Sequence, residues 1–508
     1  MKSKISRMIS ALSVGIMLTA QMGMLPAHAE NTFPSSFDLR KSGLVSSVKE
    51  QALLPSLESN YTSYEPYQNC WAFSAMNALE TNQIKSNPLI DLSEWHLAYY
   101  MYCGNFGYPS PTGNVFDAGS QDVSQEMGML TSWVGAVDEE DAPYGNSEIA
   151  NSTLTMKEVQ AQSKYHVTDI SSYDATDMDA MKSAVYSGNS LSARYTHTND
   201  CYNAEHHSYF LNWDIEESQD STLHSISIVG WDDNFPAENF NAKPSRNGAW
   251  LVKNSWGSGE VEFPDKGQAL WGIENEEGVH TGYFWLSYYD SCIEEIASFE
   301  VEDAKEHTVN FQYDGVGTGT AFREEKDIRV ANVFTNHSSG AVSIDAAGIN
   351  TLIDGQEVIV NIYTDLNSYK SSPTSGKKAV TVSDTYDWAG YHTLSFEKDI
   401  TIDAGESFAI VATYAANGSC SAVPCEGVDN DYINYNSAAY QSYYYNNSKW
   451  NDTTDLYGNN YNNVSLKVLG CGNSAAAAVS KEVESVSLSD TTYTYDGKVK
   501  TPSVNVLL

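Results

Sequence analysis

NCWAFS (residues 69–74) decides how the first half of this chain is interpreted, because it places a cysteine at the start of a predicted helix. Asn69 is a residue type favoured at helix N-caps, and apolar residues follow it at helical spacing. Cys70 therefore lies in the first turn, where backbone N–H groups and the helix dipole are expected to lower the thiol pKa. The sequence predicts a reactive cysteine here. The alternative is a structural cysteine buried beside Trp71.

Two strings downstream supply the partners that a nucleophilic cysteine needs. HSISIVGWDD (residues 224–233) alternates in a way that predicts a strand with His224 at its entrance. VKNSWG (residues 252–257) ends a second predicted strand at Asn254. An amide that holds a strand-edge histidine keeps the other ring nitrogen ready to exchange a proton. We expect a thiolate–imidazolium pair, for which asparagine suffices because orientation matters more than a third charge.

Two further residues complete the set. Trp256 is expected to shield the bond between the histidine and the asparagine from water, a role compatible with its being an ordinary core tryptophan. Upstream, VKEQ (residues 48–51) ends in Gln51, whose side chain is a donor for an oxyanion. A thiol, an imidazole, a carboxamide and an oxyanion donor together form the inventory for nucleophilic acyl transfer.

In this order the four strings resemble the motifs of the papain-family cysteine peptidases, across residues 33–290. In that family the nucleophile lies in CWAFS, the base opens an H-x-x-x-x-x-G strand, and the orienting amide lies in K-N-S-W-G, matching Cys70, His224 and Asn254. The glutamine of V-K-x-Q, the family's oxyanion donor, matches Gln51. The resemblance implies an α+β fold of two lobes with a cleft between them. The helical lobe would carry the cysteine and a β-barrel-like lobe the other two residues.

The chain departs from the family pattern before the cysteine. Eighteen residues (52–69) separate Gln51 from Cys70, where the family has only a few, so this insertion must loop outward. Gln68 is a competing oxyanion donor. The insertion, with its tyrosines and prolines, is a candidate cover for the cleft. Mature-like sequence begins at Pro34, so we expect export without a folded inhibitory prodomain.

Two weaker assignments concern substrate binding. The family's glycine pair corresponds here to AGS (residues 118–120), in which Gly119 keeps one backbone contact. Leu223 precedes the base and is apolar, so we expect it to line the pocket for the substrate's second side chain.

The N-terminus indicates export. A basic start, an apolar run and Ala27-His28-Ala29 are typical of a secretory signal peptide over residues 1–29, and the run is too short for a membrane anchor. Its removal leaves 25 basic against 66 acidic residues, a net charge of −41. Such a charge disfavours nucleic acid and anionic membranes as partners. The expected location is secreted or cell-surface, and the expected partner is a protein or peptide substrate.

Seven cysteines leave six besides Cys70, enough for up to three disulfides in 15 connectivities or for unpaired buried thiols. A small loop between Cys420 and Cys425 is one candidate, and a bridge from Cys103 to Cys201 is another. The cysteine and histidines near His207 lack zinc-ligand spacing, so the sequence predicts no metal site and no cofactor.

The second half changes character. Short alternating strands with polar turns over residues 300–470 predict an all-β sandwich, which resembles the lectin-like module that follows a papain-like domain in some exported bacterial peptidases. Tyrosines at 440–445 are candidates for stacking on sugar rings, and residues 429–431 are candidates for calcium ligation; structural tyrosines and a solvated turn are the alternatives. Residues 471–508 predict a linker and a partial, immunoglobulin-like hairpin that we expect to be truncated. The peptidase domain is expected over residues 30–295.

Two rival functions remain open. One is a catalytically silent surface binder, in which the sandwich does the work. The other is a cell-wall amidase or a transglutaminase-type enzyme, which shares the order of cysteine and histidine but not the surroundings of the two motifs.

Overall fold

The structure is a computed structural model. It describes residues 33–51, 68–102, 123–145, 156–212, 222–259, 271–315, 317–417, 420–426, 437–455, 463–472, 485–488 and 504–507. The predicted signal peptide, most of the insertion, Cys103, Gly119 and residues 429–431 lie outside these ranges. In the described part of the chain, no helix combines the length and the apolar character needed to cross a membrane.

The helices lie in the first domain, at α1 (Cys70–Gln83), α2 (Glu94–Tyr102), α3 (Val123–Thr131), α4 (Met156–Gln160) and α5 (Met178–Ser187). Helix α1 is buried on almost every side from Trp71 to Thr81, because the other elements of the domain surround it. Its cap differs from the prediction. The Asn69 carbonyl accepts the Ala72 N–H at 2.9 Å, but the Asn69 side chain makes no capping bond.

The strands of the first domain are β1 (Ser36–Asp38), β2 (Tyr165–Tyr173), β3 (Leu191–His197), β4 (Tyr202–Asn203), β5 (Ser208–Tyr209), β6 (Thr222–Asp232), β7 (Ala249–Lys253), β8 (Tyr283–Ser287) and β9 (Glu294–Asp303). Their described order is β2-β9-β3-β6-β7-β8-β5-β4, with β1 paired to β6. Strands β6 and β7 are the two strands predicted at His224 and before Asn254. Gly230 of β6 is required, because a Cβ there would lie 2.3 Å from the Phe37 carbonyl oxygen of β1.

The remaining strands are β10 (Val309–Phe311), β11 (Thr320–Glu324), β12 (Ile328–Thr335), β13 (Val342–Thr351), β14 (Gln356–Thr364), β15 (Lys377–Tyr386), β16 (Gly390–Ile402), β17 (Ser407–Tyr414), β18 (Ser421–Cys425), β19 (Ser442–Asn446), β20 (Lys449–Asp452), β21 (Leu466–Gly472), β22 (Ser485–Leu488) and β23 (Val504–Leu507). One layer has the order β10-β21-β13-β16, and the other has β15-β14-β17-β12-β19-β20. A shared apolar core lies between them. The predicted all-β sandwich is therefore confirmed, and the last two strands form an antiparallel pair.

The two domains share a sheet, which the sequence did not predict. Strand β16 of the sandwich pairs with β2 of the first domain through Gly390, Tyr391 and His392. His392 Nδ1 lies 2.8 Å from Asp169 Oδ2, so a side-chain hydrogen bond accompanies the backbone pairing. A Cβ at Gly390 would lie 1.7 Å from the Ile170 carbonyl oxygen, so this approach requires glycine. Strand β9 crosses the boundary predicted at residues 295–300 and pairs with β2 and β3.

The cysteines that the structure describes are all free thiols, namely Cys70, Cys201, Cys292, Cys420, Cys425 and Cys471. The candidate disulfide between Cys420 and Cys425, which would have closed a small loop, is not formed. An extended strand occupies the interval, and five residues at about 3.3 Å each separate the two cysteines by about 16 Å. A disulfide requires Cα atoms within about 7 Å of each other.

Candidate active site

Cys70 is the first residue of α1, as the sequence predicts, and it is partly exposed. Burial of the thiol raises its pKa, and hydrogen bonds with the backbone and side chain of Ser225 oppose that rise. The predicted lowering of the thiol pKa by the helix N-terminus is therefore wrong for this site. The loss of solvation outweighs the hydrogen bonds from the backbone of Cys70 and Trp71 at the start of the helix. The contact with Ser225 nevertheless places the thiol beside the residue that follows His224.

Helix α1 is held against β6 by Ser74. Its hydroxyl donates to the Ile226 carbonyl oxygen at 2.5 Å and lies 2.8 Å from Ser192 Oγ of β3. Cys70 is four residues before Ser74, about 6 Å along the helix. His224 is two residues before Ile226, about 6.6 Å along the strand. The two steps match in length, so the bond from Ser74 to Ile226 brings the helix N-terminus to the level of the histidine.

The hydrogen bonds around Asn254 fix the tautomer of His224. Asn254 Oδ1 accepts the backbone N–H of Ser255 at 2.7 Å, which identifies that atom as the oxygen. The same oxygen lies 2.8 Å from His224 Nε2, so Nε2 must be the protonated nitrogen. In the neutral ring, Nδ1 then carries the lone pair and is the base available to a thiol. The orientation predicted for the asparagine is the one that the structure has.

Burial lowers the pKa of His224 to about 4, and the hydrogen bond to Asn254 opposes this shift. Burial therefore opposes a positive charge that forms on the ring alone. Burial penalises either charge when it is formed alone. A proton transfer from sulfur to nitrogen forms both charges together, and at close range in a site of low dielectric their attraction offsets that penalty.

Aromatic rings enclose the histidine. Trp256 stacks on His224 with ring centroids 4.5 Å apart and an interplanar angle of 21°. The edge-to-face neighbours of Trp256 are His197 at 5.0 Å and Trp271 at 4.8 Å. The shielding role predicted for Trp256 agrees with this packing. Neither His197 nor Trp271 was singled out from the sequence, since each lies in a segment without a motif.

Gln51 contacts Ser255, the residue after Asn254, although an insertion follows Gln51 in the chain. Its backbone N–H donates to the Ser255 carbonyl at 2.9 Å, and its Oε1 accepts the Ser255 hydroxyl at 2.5 Å. The side chain of Gln51 is 4% exposed, and the Ser255 hydroxyl holds its carbonyl oxygen. Gln68, the competing donor, is exposed.

The other predicted site residues have different environments. Trp71 is buried in the core of the first domain. Leu223 is 52% exposed and pairs with Thr196 of β3, so it lies at the surface beside the histidine rather than in a closed pocket. Gly119 lies outside the described residues, and its predicted contact stays a prediction.

Two lysines of the quoted motifs belong to a buried charge cluster behind the site. Lys49 Nζ lies 3.0 Å from Glu80 Oε1 and 2.8 Å from Glu94 Oε1. Lys253 Nζ donates to Asn77 Oδ1 at 2.6 Å. A cavity of about 20 Å³, which is room for about one water, lies between this cluster and Asn254. The cluster joins VKEQ and VKNSWG to α1 and α2, and so fixes the positions of the glutamine and the asparagine.

The charged groups in this cluster shift one another's pKa values. Burial opposes protonation of Lys49, but the neighbouring carboxylates, Glu94 first, raise its pKa well above the ordinary value. Burial raises the pKa of Glu94 to about 8 and lowers that of Lys253 to about 8. Lys49 is thus the cation on which the buried carboxylates depend.

Two family models match the chain. Residues 33–263 match the papain family of cysteine proteases, and residues 311–469 match the lectin-like domain. Among curated proteins, vignain of Ricinus communis is 27% identical over 252 residues, which cover 49% of this chain and 58% of that protein. A cathepsin L-like peptidase of Aedes aegypti is 27% identical over 236 residues, 46% of this chain and 57% of its own. The chain therefore spans little more than half the length of these relatives.

Solved structures match a larger share of the chain. The cysteine protease and lectin-like domains of Cwp84, a surface layer associated protein of Clostridium difficile, cover 88% of this chain and 90% of their own, with a TM-score of 0.67 and 23% identity. Cwp84 after propeptide cleavage covers 86% of this chain and 99% of its own, with a TM-score of 0.66 and 24% identity. This likeness establishes the two-domain fold.

We predict that Lys49→Met destabilises the first domain by about 3–5 kcal/mol, because it leaves buried Glu80 without its ammonium partner. Urea unfolding followed by tryptophan fluorescence measures the change. Lys164→Met is the matched control. Its ion pair with Asp138 is exposed, so the loss should be at most about 1 kcal/mol. Equal small losses in both variants would contradict the role given to Lys49.

Proposed function

We propose that this chain, which joins a papain-family cysteine protease domain to a lectin-like domain, is an exported peptidase that uses Cys70 as its nucleophile. The observation that supports the proposal best is the bond from His224 Nε2 to Asn254 Oδ1, 2.8 Å long and covered by Trp256. It leaves Nδ1 as a base on the residue next to Ser225, which the thiol contacts. The domain limits are proposed at residues 30–295 and 300–470.

In the proposed reaction, the sulfur of Cys70 attacks the peptide carbonyl carbon while its proton passes to His224 Nδ1. The negative oxygen that forms accepts hydrogen bonds from the Cys70 backbone N–H and from the Gln51 side-chain amide. His224 then gives its proton to the leaving amine, and the C–N bond breaks to leave a thioester. Water, deprotonated by the same nitrogen, hydrolyses the thioester and returns the thiol. Asn254 holds the ring through each step.

The rival functions fit the site less well. A silent binder has no need of an imidazole fixed in one tautomer by an asparagine with a second hydrogen bond. A cell-wall amidase or transglutaminase would use the same atoms. The surroundings given by Trp256 and by Gln51 on the Ser255 loop instead match the peptidase motifs.

The sandwich is proposed to hold the enzyme at a carbohydrate or another cell-surface ligand, consistent with export. Tyr443 and Tyr444, two of the predicted sugar-stacking tyrosines, are buried in the sandwich and do not offer a face. A more suitable surface consists of Tyr445, Trp450 and Arg329. The two rings lie 5.1 Å apart, and the guanidinium lies 5.2 Å from the Trp450 ring.

A panel of fluorogenic peptide amides tests the peptidase proposal. Wild type should release amine, and Cys70→Ala should lose on the order of 10⁶-fold in kcat, as expected when the nucleophile of a catalytic unit is removed. Cys420→Ala, at a partly exposed cysteine of the sandwich, should keep full activity. Turnover by wild type on cell-wall amides alone, or by Cys70→Ala at the wild-type rate, would reject the proposal.

A pair of variants separates the two oxyanion donors. Gln51→Ala should slow acylation by about 2.7–4 kcal/mol in the barrier, roughly 10²–10³-fold, because one donor to the oxyanion is lost. Gln68→Ala should change it less than threefold, since that side chain is exposed. Single-turnover kinetics measure both. If the larger loss falls on Gln68, the assignment of Gln51 is wrong.

Affinity electrophoresis with a panel of soluble polysaccharides tests the sandwich. Trp450→Ala should weaken binding several-fold, because it removes the aromatic face and its cation contact. Tyr186→Ala, at an exposed tyrosine of the peptidase domain, is the control and should bind as wild type. Equal binding by both variants would exclude this surface.

A further inference from the structure

Three side chains that have no part in the proposed reaction lie close together near the loop that follows Asn254. They are His207, which precedes β5, and Glu274 and His280, which face each other across a backbone bridge in the segment before β8. One ligand atom from each residue lies within 4.8 Å of the other two. His280 Nε2 is 3.7 Å from Glu274 Oε1. Two imidazoles and one carboxylate are the donor set of many zinc sites.

The hydrogen bonds around the histidines prepare them for a metal. His280 Nδ1 lies 2.8 Å from the Gly272 carbonyl oxygen, so Nδ1 carries a proton, and Nε2 is the nitrogen that has the lone pair whenever the ring is neutral. His207 Nδ1 lies 3.2 Å from the Tyr202 hydroxyl, which also accepts the Gly272 N–H at 3.3 Å. Metal-bound histidines almost always donate their second nitrogen to a carbonyl or a similar acceptor.

The fold holds His207 in one conformation. Its backbone is left-handed, with φ of 49°, and its carbonyl accepts the Trp285 N–H at 2.8 Å. The packing of β8 therefore holds the residue in a conformation that is uncommon outside glycine.

We propose that His207, Glu274 and His280 bind one Zn²⁺ ion, with a water in the fourth position. The sequence predicted no metal here, because two of the three ligands come from a later hairpin. The consequence for the enzyme follows from the backbone. Gly259 N–H donates to the His280 carbonyl at 2.7 Å, and Asn254 N–H donates to the Gly282 carbonyl at 3.0 Å. A metal on the hairpin therefore stabilises the loop that holds Asn254, and with it the contact of Trp271 with Trp256.

Equilibrium dialysis with ZnCl₂ tests the site in the full chain carrying Cys70→Ala, which removes the catalytic thiol as a competing ligand. One Zn²⁺ per chain should bind, and the thermal unfolding midpoint should rise with it. His280→Ala, Glu274→Gln and His207→Asn should each weaken binding by at least about tenfold, the lower end of the loss when even an outer partner of a metal ligand is removed. Asparagine is chosen at position 207 because it tolerates a left-handed backbone.

His206→Ala is the matched control, at a neighbouring histidine outside the cluster, and should bind Zn²⁺ as the parent does. Because Glu274 is exposed, the isosteric Glu274→Gln is the variant least prone to misfolding. No zinc binding by the parent at micromolar metal, or unchanged affinity in Glu274→Gln, would overturn the proposal. An equal stabilisation by CaCl₂ would overturn it as well, because calcium prefers oxygen ligands.

Discussion

The hydrogen bond from Ser74 to the Ile226 carbonyl is the contact on which the catalytic site depends. It joins the central helix of one lobe to the central strand of the other, in a place from which water is excluded. Cys70, the proposed nucleophile, lies one turn along the helix from this bond, and His224, the proposed base, lies two residues along the strand. Because both elements are rigid and fully packed, the relative position of sulfur and imidazole is determined by a bond that neither residue makes.

The electrostatics of the site follow from the same burial. Each catalytic group loses solvation, which raises the pKa of the Cys70 thiol and lowers that of His224 to about 4. Behind the site, Lys49 and Lys253 are buried with Glu80 and Glu94 and satisfy one another through ion pairs and hydrogen bonds. Buried ion pairs contribute little net stability, but they penalise any displacement of the segments that carry them.

The two domains are joined more closely than a linker would join them. The pairing of β16 with β2 continues one sheet from the catalytic lobe into the sandwich. Trp133 stacks on His166 at 3.8 Å, and it also packs against Ala346 and Leu469 of the sandwich. A ligand held by the sandwich would therefore be held at a fixed distance and direction from the cleft.

The sequence by itself predicted the candidate catalytic residues and most of the strands. The chemistry of CWAFS, the alternation after His224 and the amide in VKNSWG are local signals, since each depends on residue type and short spacing. The sandwich strands were predicted for the same reason, because alternation of period two is visible in a single segment. The lobe to which each catalytic residue belongs followed from the resemblance that those motifs carry.

Tertiary structure alone decided what depends on distant partners. The pKa shifts of Cys70 and His224 depend on burial by elements far away in the chain. The free thiols at Cys420 and Cys425 follow from an extended strand between them. The shared sheet through Gly390, and the cluster of His207 with Glu274 and His280, unite segments that no local pattern connects. Local propensity cannot predict such groupings, because they are set by which strands pair and which surfaces pack.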